Sequence, residues 1–271
     1  DVVAGYGPVD ADGRPAFVAL NDVRLRLEPG QNLGIIGESG CGKSTLARAI
    51  AGLLPWTEGS IAFQGKPLEP DLRKRSREEL RRIQIVFQLA DTALNPQKPV
   101  GAILGRPLSF YHAMAGSKRD QRVDELLDMV RLPKALKYRL PGELSGGQKQ
   151  RVNFARALAA EPDLILCDEV TSALDTVVAA AVLDLLKELQ RELSLSYLFI
   201  SHNLATVQAI CDDVVVMYAG QKMEEIEAAK MAQDSTHPYS KLLVSSVPQL
   251  DTGWLDGLEQ DAELARAFSK R

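Results

Sequence analysis

LGIIGESGCGKSTLARAI, residues 33–50, is a short apolar run, a glycine-rich loop and a helical pattern in succession. The apolar run at 33–36 predicts a buried strand. After Lys43, the spacing of Leu46, Ala47 and Ile50 predicts a helix that closes near Gly52 and is broken by Pro55. Between them GESGCGKST fills every defining place of GxxxxGK[ST], and a chance match in a chain this long is on the order of one in a hundred. The glycines Gly37, Gly40 and Gly42, with Glu38, Ser39, Cys41 and Thr45, let backbone N–H groups wrap phosphate oxygens. Lys43 reaches the β- and γ-phosphates, and the Ser44 hydroxyl can ligate Mg²⁺.

Outward from this loop the rhythm is strand and helix in alternation. LILC (164–167), YLFI (197–200) and VVVMY (214–218) are unalternating apolar runs suited to strands buried on both faces, and Val178, Val182, Leu185, Leu189 and Leu193 mark a helix between the first two. The expected fold is therefore α/β, with a mostly parallel sheet. Val23, Leu25 and Leu27 alternate with Arg24, Arg26 and Glu28, which predicts a half-buried strand ended by the Pro29-Gly30 turn. Residues from about 88 to 145 hold Asn95-Pro96, Pro99, Pro133 and Pro141-Gly142 around a helical pattern at 120–130, so a mainly helical insert is expected there.

Bulk properties narrow the function. The 271 residues carry 32 Lys plus Arg against 36 Asp plus Glu, a net charge of −4, so no basic field invites nucleic acid. The longest apolar runs fall short of the roughly 18 to 20 residues that span a bilayer, and DVVAGYGPVD lacks the pattern of a signal peptide, which predicts a soluble, intracellular chain. Cys41, Cys167 and Cys211 lack metal-ligand spacing and are expected to be buried small hydrophobes in a reducing compartment. The first residue is Asp1, which suggests a segment of a longer polypeptide.

Two carboxylates, Asp168 and Glu169, follow the 164–167 strand directly, at the sheet edge where open α/β folds bind ligands. Asp168 suits Mg²⁺, and Glu169 can polarise an attacking water. His202 follows the YLFIS strand and should emerge on the same edge, within reach of a γ-phosphate, whereas His112 and His237 lack such placement. LSGGQ (144–148) precedes the helical pattern of Val152, Ala155, Leu158 and Ala159. Ser145 is then a plausible N-cap, and Gly146 and Gly147 allow close backbone approach, with Gln148 following, so a second anion site is expected. Locally, an ordinary Ser-Gly-Gly helix start accounts for the stretch at least as well.

As a set and in this order, the motifs resemble the nucleotide-binding subunits of ABC transporters. GESGCGKST is similar to their Walker A, Gln88 to the Q-loop, LSGGQ to the signature, LILCDE to Walker B with its catalytic glutamate, SALD ending at Asp175 to the D-loop, and His202 to the switch histidine. The resemblance implies a single ABC ATPase domain. Its nucleotide-binding core would be residues 1–88 and 146–237, with an N-terminal antiparallel β region, a helical subdomain at about 89–145 and a C-terminal extension at about 238–271. It implies ATP and Mg²⁺ as cofactors, with Gln88 near the metal and water. It also implies head-to-tail pairing with a second ABC ATPase domain, so that Lys43 of one and Ser145 of the other clasp one ATP. Adenine would stack on Tyr6, or on Phe17 as the alternative.

The resemblance further implies transmembrane permease subunits and, indirectly, an external solute-binding protein, at the cytoplasmic face of a bacterial inner membrane. CDEVTSALD, SLSYLFISHNL and THPYSKLLVSSVP are similar to the oligopeptide, dipeptide and nickel importer group. Two departures stand out: Asn203 replaces an Asp common in that group, and no cysteine cluster follows Ser246-Val247-Pro248. The GWL near the end resembles fused double-ATPase versions. Other members of the family act in DNA repair, in translation or as accessory ATPases in phosphonate breakdown, and these are the alternative classes.

Overall fold

The computed structural model describes residues 1–246. Strands β1 (Val2–Val9) and β2 (Pro15–Val23) open the chain as an antiparallel pair, and β3 (Asn32–Ile36) runs through the glycine loop into α1 (Lys43–Ile50). Next come β4 (Trp56–Glu58), which pairs with β1, the hairpin β5 (Ala62–Phe63) and β6 (Lys66–Pro67), α2 (Arg77–Arg82) and β7 (Ile83–Val86). Helices α3 (Ala90–Ala93), α4 (Val100–His112), α5 (Gly116–Met129) and α6 (Gly146–Leu158) follow in succession. The chain then alternates through β8 (Leu164–Asp168), α7 (Thr176–Leu193), β9 (Ser196–Ile200), α8 (Leu204–Ile210) and β10 (Asp213–Tyr218). The described residues end with β11 (Gln221–Glu227), α9 (Met231–Asp234) and α10 (Pro238–Ser245).

The main sheet has the order β11-β10-β3-β9-β8-β7, parallel from β10 to β7 with β11 antiparallel on the edge. Every residue of β3, β8 and β9 is buried, as the unalternating runs predicted. The pleat still sorts them. Leu164 and Leu166 face a core shared with α1 and β1, while Ile165 and Cys167 face a larger core built with α4 to α8. Gly34 marks where α8 crosses β3 too closely for a side chain, since a Cβ there would lie 2.4 Å from a Val207 methyl carbon.

One expected strand shifts. The ladder of β2 ends at Val23, and residues 24–28 pair with no strand, although Leu25 and Leu27 still pack against the smaller core. Alternation reports which side chains face inward; strand pairing also needs a neighbouring backbone, and β1 has run out there. All three cysteines are free and buried. Among the described residues no helix is long and apolar enough to cross a membrane. Val247, Pro248 and the GWL at 253–255, with most of the expected C-terminal extension, lie outside the described residues.

Candidate active site

The glycine loop is threaded between β10 and β2. Gly37 has φ 148°, and a Cβ on it would sit 2.1 Å from the Met217 carbonyl oxygen; Gly42 has φ 105° with the Ala19 carbonyl 2.6 Å from its Cβ position. Both positions combine a left-handed backbone with backbone contact, which only glycine tolerates. Lys43 is buried, and its ammonium donates to the carbonyls of Gly37 and Glu38 at 2.7 Å each. Bonds of this charged kind contribute about 1.5–3 kcal/mol apiece, enough to hold a buried cation under the loop. The first turn of α1 has no side-chain cap. Its leading N–H groups therefore suit an anion.

Of the two strand-end carboxylates, Asp168 meets this loop directly. Ser44 Oγ donates to Asp168 Oδ1 at 2.9 Å, which gives two hard oxygen donors beside the loop. Burial raises the Asp168 pKa above the usual carboxylate range, the Ser44 bond lowers it, and Glu169 raises it again. The net direction is upward, so the folded state holds the Asp168 proton more tightly than the unfolded chain. Stability contributed by the protonated form is then lost as pH rises through the folded pKa. Asp168→Asn keeps the Ser44 partner without the buried charge. It should raise the thermal midpoint of the nucleotide-free chain at neutral pH, with the gain vanishing once the pH falls below the ordinary carboxylate range. Paired melts at about pH 7 and about pH 3.5, on either side of that range, check this; an unchanged or lowered midpoint at neutral pH would show that ionised Asp168 is not a burden.

Glu169 has φ 50°, an uncommon conformation for this residue, fixed by its amide donating to the Ile200 carbonyl at 3.0 Å. Its carboxylate lies between two sequence-predicted partners. Gln88 Nε2 donates to Glu169 Oε2 at 2.9 Å, and His202 Nδ1 stands 3.5 Å from Oε1. Gln88 Nε2 also reaches the Ser172 hydroxyl at 3.0 Å, and Ser172 in turn donates to the Glu169 carbonyl. Strand ends β3, β7, β8 and β9 thus deliver Lys43, Gln88, Asp168, Glu169 and His202 to one edge of the sheet. Asn203 is the N-cap of α8, its side chain accepting from the Thr206 amide at 3.1 Å. An Asp would cap equally well, so this departure leaves the strand-end row intact.

The signature stretch sits elsewhere. Ser145 caps α6, accepting from the Gln148 amide at 3.3 Å while Gln148 Oε1 accepts from the Ser145 amide at 3.0 Å. Ser145 and Gly146 are exposed. Gly147 is pressed on α7, where a Cβ would meet Val178 at 2.5 Å, and Asp175 caps that helix through the Val178 amide. Among the described residues no hydrogen bond joins 144–148 to 37–45. Tyr6 lies beside the loop, its hydroxyl 3.3 Å from Thr45 Oγ1 and accepting from Arg48 at 3.2 Å, and Phe17 is its cross-strand neighbour. Tyr6 is 39% and Phe17 62% exposed, leaving two accessible rings.

Some residues of the site escaped the sequence reading. Lys149 and Arg156 on α6 bond Asp91 and the Ala93 carbonyl, and the Asn153 amide reaches the Phe87 carbonyl, tying the signature helix to the turn that carries Gln88. Their signal was faint: Asn153 is fully buried on a helix whose period marked only apolar positions.

The chain matches the ABC transporter family model over residues 20–172. It is 45% identical over 231 residues to the oligopeptide transport ATP-binding protein OppF of Haemophilus influenzae, covering 85% of this chain and 70% of that protein. Against OppF of Escherichia coli the identity is 45% over 234 residues, covering 85% and 69%. Among solved structures it is similar to the dimeric ATP-binding cassette MJ0796 in a post-hydrolysis state bound to ADP and Pi, with a TM-score of 0.72 and 31% identity over 84% of this chain and 96% of that one. With the family model spanning more than half the chain and such relatives aligned over most of it, this protein belongs to the ABC transporter ATP-binding family.

Proposed function

We propose that the chain is an Mg²⁺-dependent ATPase that powers import of oligopeptides, working as one of two cassettes paired head to tail beneath membrane-spanning permease subunits. The observation that carries the hydrolytic reading is Glu169, held between Gln88 and His202 beside the Ser44–Asp168 pair and the glycine loop. Peptide import rests on the names of the OppF relatives, and pairing on the dimeric cassette.

The donor set fits magnesium. Among the described residues no cluster of three His, Cys, Asp or Glu side chains could hold a metal by itself. Mg²⁺, however, is commonly held by one or two protein oxygens together with substrate phosphates, and Ser44, Asp168 and Gln88 supply such oxygens. When bound, the ion would neutralise charge developing between the β- and γ-phosphoryl groups. Residues 37–45 bind the phosphates through their amides, with Lys43 supplying the cation. Glu169 takes the proton of the attacking water, Gln88 orients that water, and His202 donates toward the γ-phosphate.

Tyr6, with Phe17 beside it, offers a ring face to adenine. Ser145, Gly146, Gly147 and Gln148 complete the site of the paired cassette, and Asp175 lies at the same seam. The helical part, about residues 89–145, receives the permease subunits, and an external binding protein delivers the solute to them. Residues 1–88 and 146–237 form the nucleotide core, and the chain works at the cytoplasmic face of the membrane beneath its permease subunits.

Purification of the tagged chain from membranes should bring down membrane-spanning subunits. Reconstituted in liposomes, that complex should accumulate labelled oligopeptide only when ATP is present on the cassette side. Copurification of nucleic acid or of soluble enzyme subunits instead would overturn the import reading.

A further inference from the structure

The last described helix holds the glycine loop from outside. Tyr239 of α10 is fully buried, and its hydroxyl accepts from the Glu38 amide at 3.1 Å. That N–H belongs to the same peptide unit as the Gly37 carbonyl, which accepts from the Lys43 ammonium at 2.7 Å. A peptide unit is planar and rigid, so Tyr239 and Lys43 grip opposite edges of one plate. The Tyr239 ring leans on Tyr218 with centroids 4.6 Å apart, and burial pushes its phenol up to about 12, keeping it neutral at physiological pH.

The rest of the segment secures this contact. One oxygen of Glu224, on β11, accepts from the Thr236 amide and hydroxyl at 2.8 Å each and from the His237 amide at 3.4 Å, which fixes the start of α10. His237, expected to be without a role, caps the helix through its Nδ1 on the Tyr239 amide at 3.2 Å. A second tether comes from the β10–β11 turn, where the Gly220 amide donates to the Cys41 carbonyl at 3.0 Å. Both ends of the loop's free stretch are thus bonded to the segment that follows the parallel sheet.

We propose that Tyr239 is a positioning residue of the nucleotide site: by fixing the Gly37–Glu38 peptide on which Lys43 rests, it makes nucleotide affinity depend on α10 being docked. The proposal builds on the nucleotide-binding reading above. The loop is held in shape before any phosphate arrives, and losing one such bond loosens it.

Tyr239→Phe keeps the ring against Tyr218 and removes only the hydroxyl. On the full chain, calorimetric titration with ADP should show a Kd about three- to tenfold weaker, the equivalent of one hydrogen bond. The KM for ATP should rise with it while kcat holds, because Glu169 is untouched. Lys241→Ala, at an exposed position of α10, alters the helix away from its docked face and should leave the ADP Kd unchanged. If Tyr239→Phe binds ADP as tightly as the unmodified chain, or Lys241→Ala weakens binding equally, the proposal fails. An unmodified chain that binds no ADP overturns the nucleotide reading as well. Should Tyr239→Phe fold poorly, hydrogen exchange on the unmodified chain decides: by linkage ADP slows exchange of the α10 amides, and exchange unaffected by ADP contradicts the coupling.

Discussion

Replacing Glu169 with Gln should lower steady-state ATP turnover by about 10²- to 10⁴-fold, the usual contribution of a positioned general base, while nucleotide binding is retained. The substitution is nearly isosteric. The carbonyl of the introduced amide can still accept from Gln88 Nε2, which stands 2.9 Å from the native carboxylate, and the left-handed backbone fixed by the Ile200 carbonyl does not depend on charge. What is lost is the ability to take a proton. Lys43, Ser44 and Asp168 are untouched, so ATP affinity should stay within a few-fold of the unmodified chain. Single-turnover hydrolysis and equilibrium binding, measured on the same preparation, separate the two effects. Turnover within a few-fold of normal would remove Glu169 from the chemistry and leave the strand-end row without its base.

Blocked hydrolysis has a second consequence. If ATP joins two cassettes, the Glu169→Gln chain should accumulate as an ATP-bound dimer, and adding Ser145→Arg should return it to a monomer. Ser145 is an exposed cap with no hydrogen bond to the glycine loop of its own chain. Substituting it forfeits the cap, about 1 kcal/mol of local helix stability, and places a bulky cation where a partner's phosphates would lie. The expected result by light scattering is loss of ATP-dependent pairing with unchanged monomer affinity for ATP. A variant that loses affinity together with pairing would mean that both loops serve one nucleotide inside one chain.

Much of this site was legible because its chemistry is tied to local geometry. GESGCGKST demands glycine at Gly37 and Gly42, and the structure gives the reason in the Met217 and Ala19 carbonyls that would collide with a side chain. Buried parallel strands announce themselves as apolar runs, and a polar residue at the end of such a run lands on the ligand edge, which is how Glu169 and His202 were placed; Gln88 rested on the family resemblance. LSGGQ was ambiguous for an equally physical reason: within one chain Ser145 and Gln148 form an ordinary capping box, and its other reading needs a second molecule.

The misses share a cause as well. Residues 24–28 have the alternation of a strand and the burial to match, yet no neighbouring backbone, which periodicity cannot report. Strand β11 (QKMEEIE) pairs along the whole of β10 with hardly any apolar character, because an edge strand beside Val214, Val215 and Val216 needs only its hydrogen bonds. Tyr239 looked like part of a subgroup resemblance in THPYSKLL. Its contact with Glu38 spans 201 residues of sequence, and a link of that length leaves no local pattern.

The composite site is tested most directly by mixing two disabled chains. Lys43→Ala removes the cation of one loop, and Ser145→Arg blocks the other; each variant alone should be nearly inactive in ATP hydrolysis. In a mixed pair, the intact Lys43 of one chain faces the intact Ser145 of the other, so one complete site is rebuilt. Mixing should therefore restore turnover that rises with the fraction of mixed pairs. No restoration across mixing ratios, with both variants folded, would contradict a nucleotide site shared between two chains.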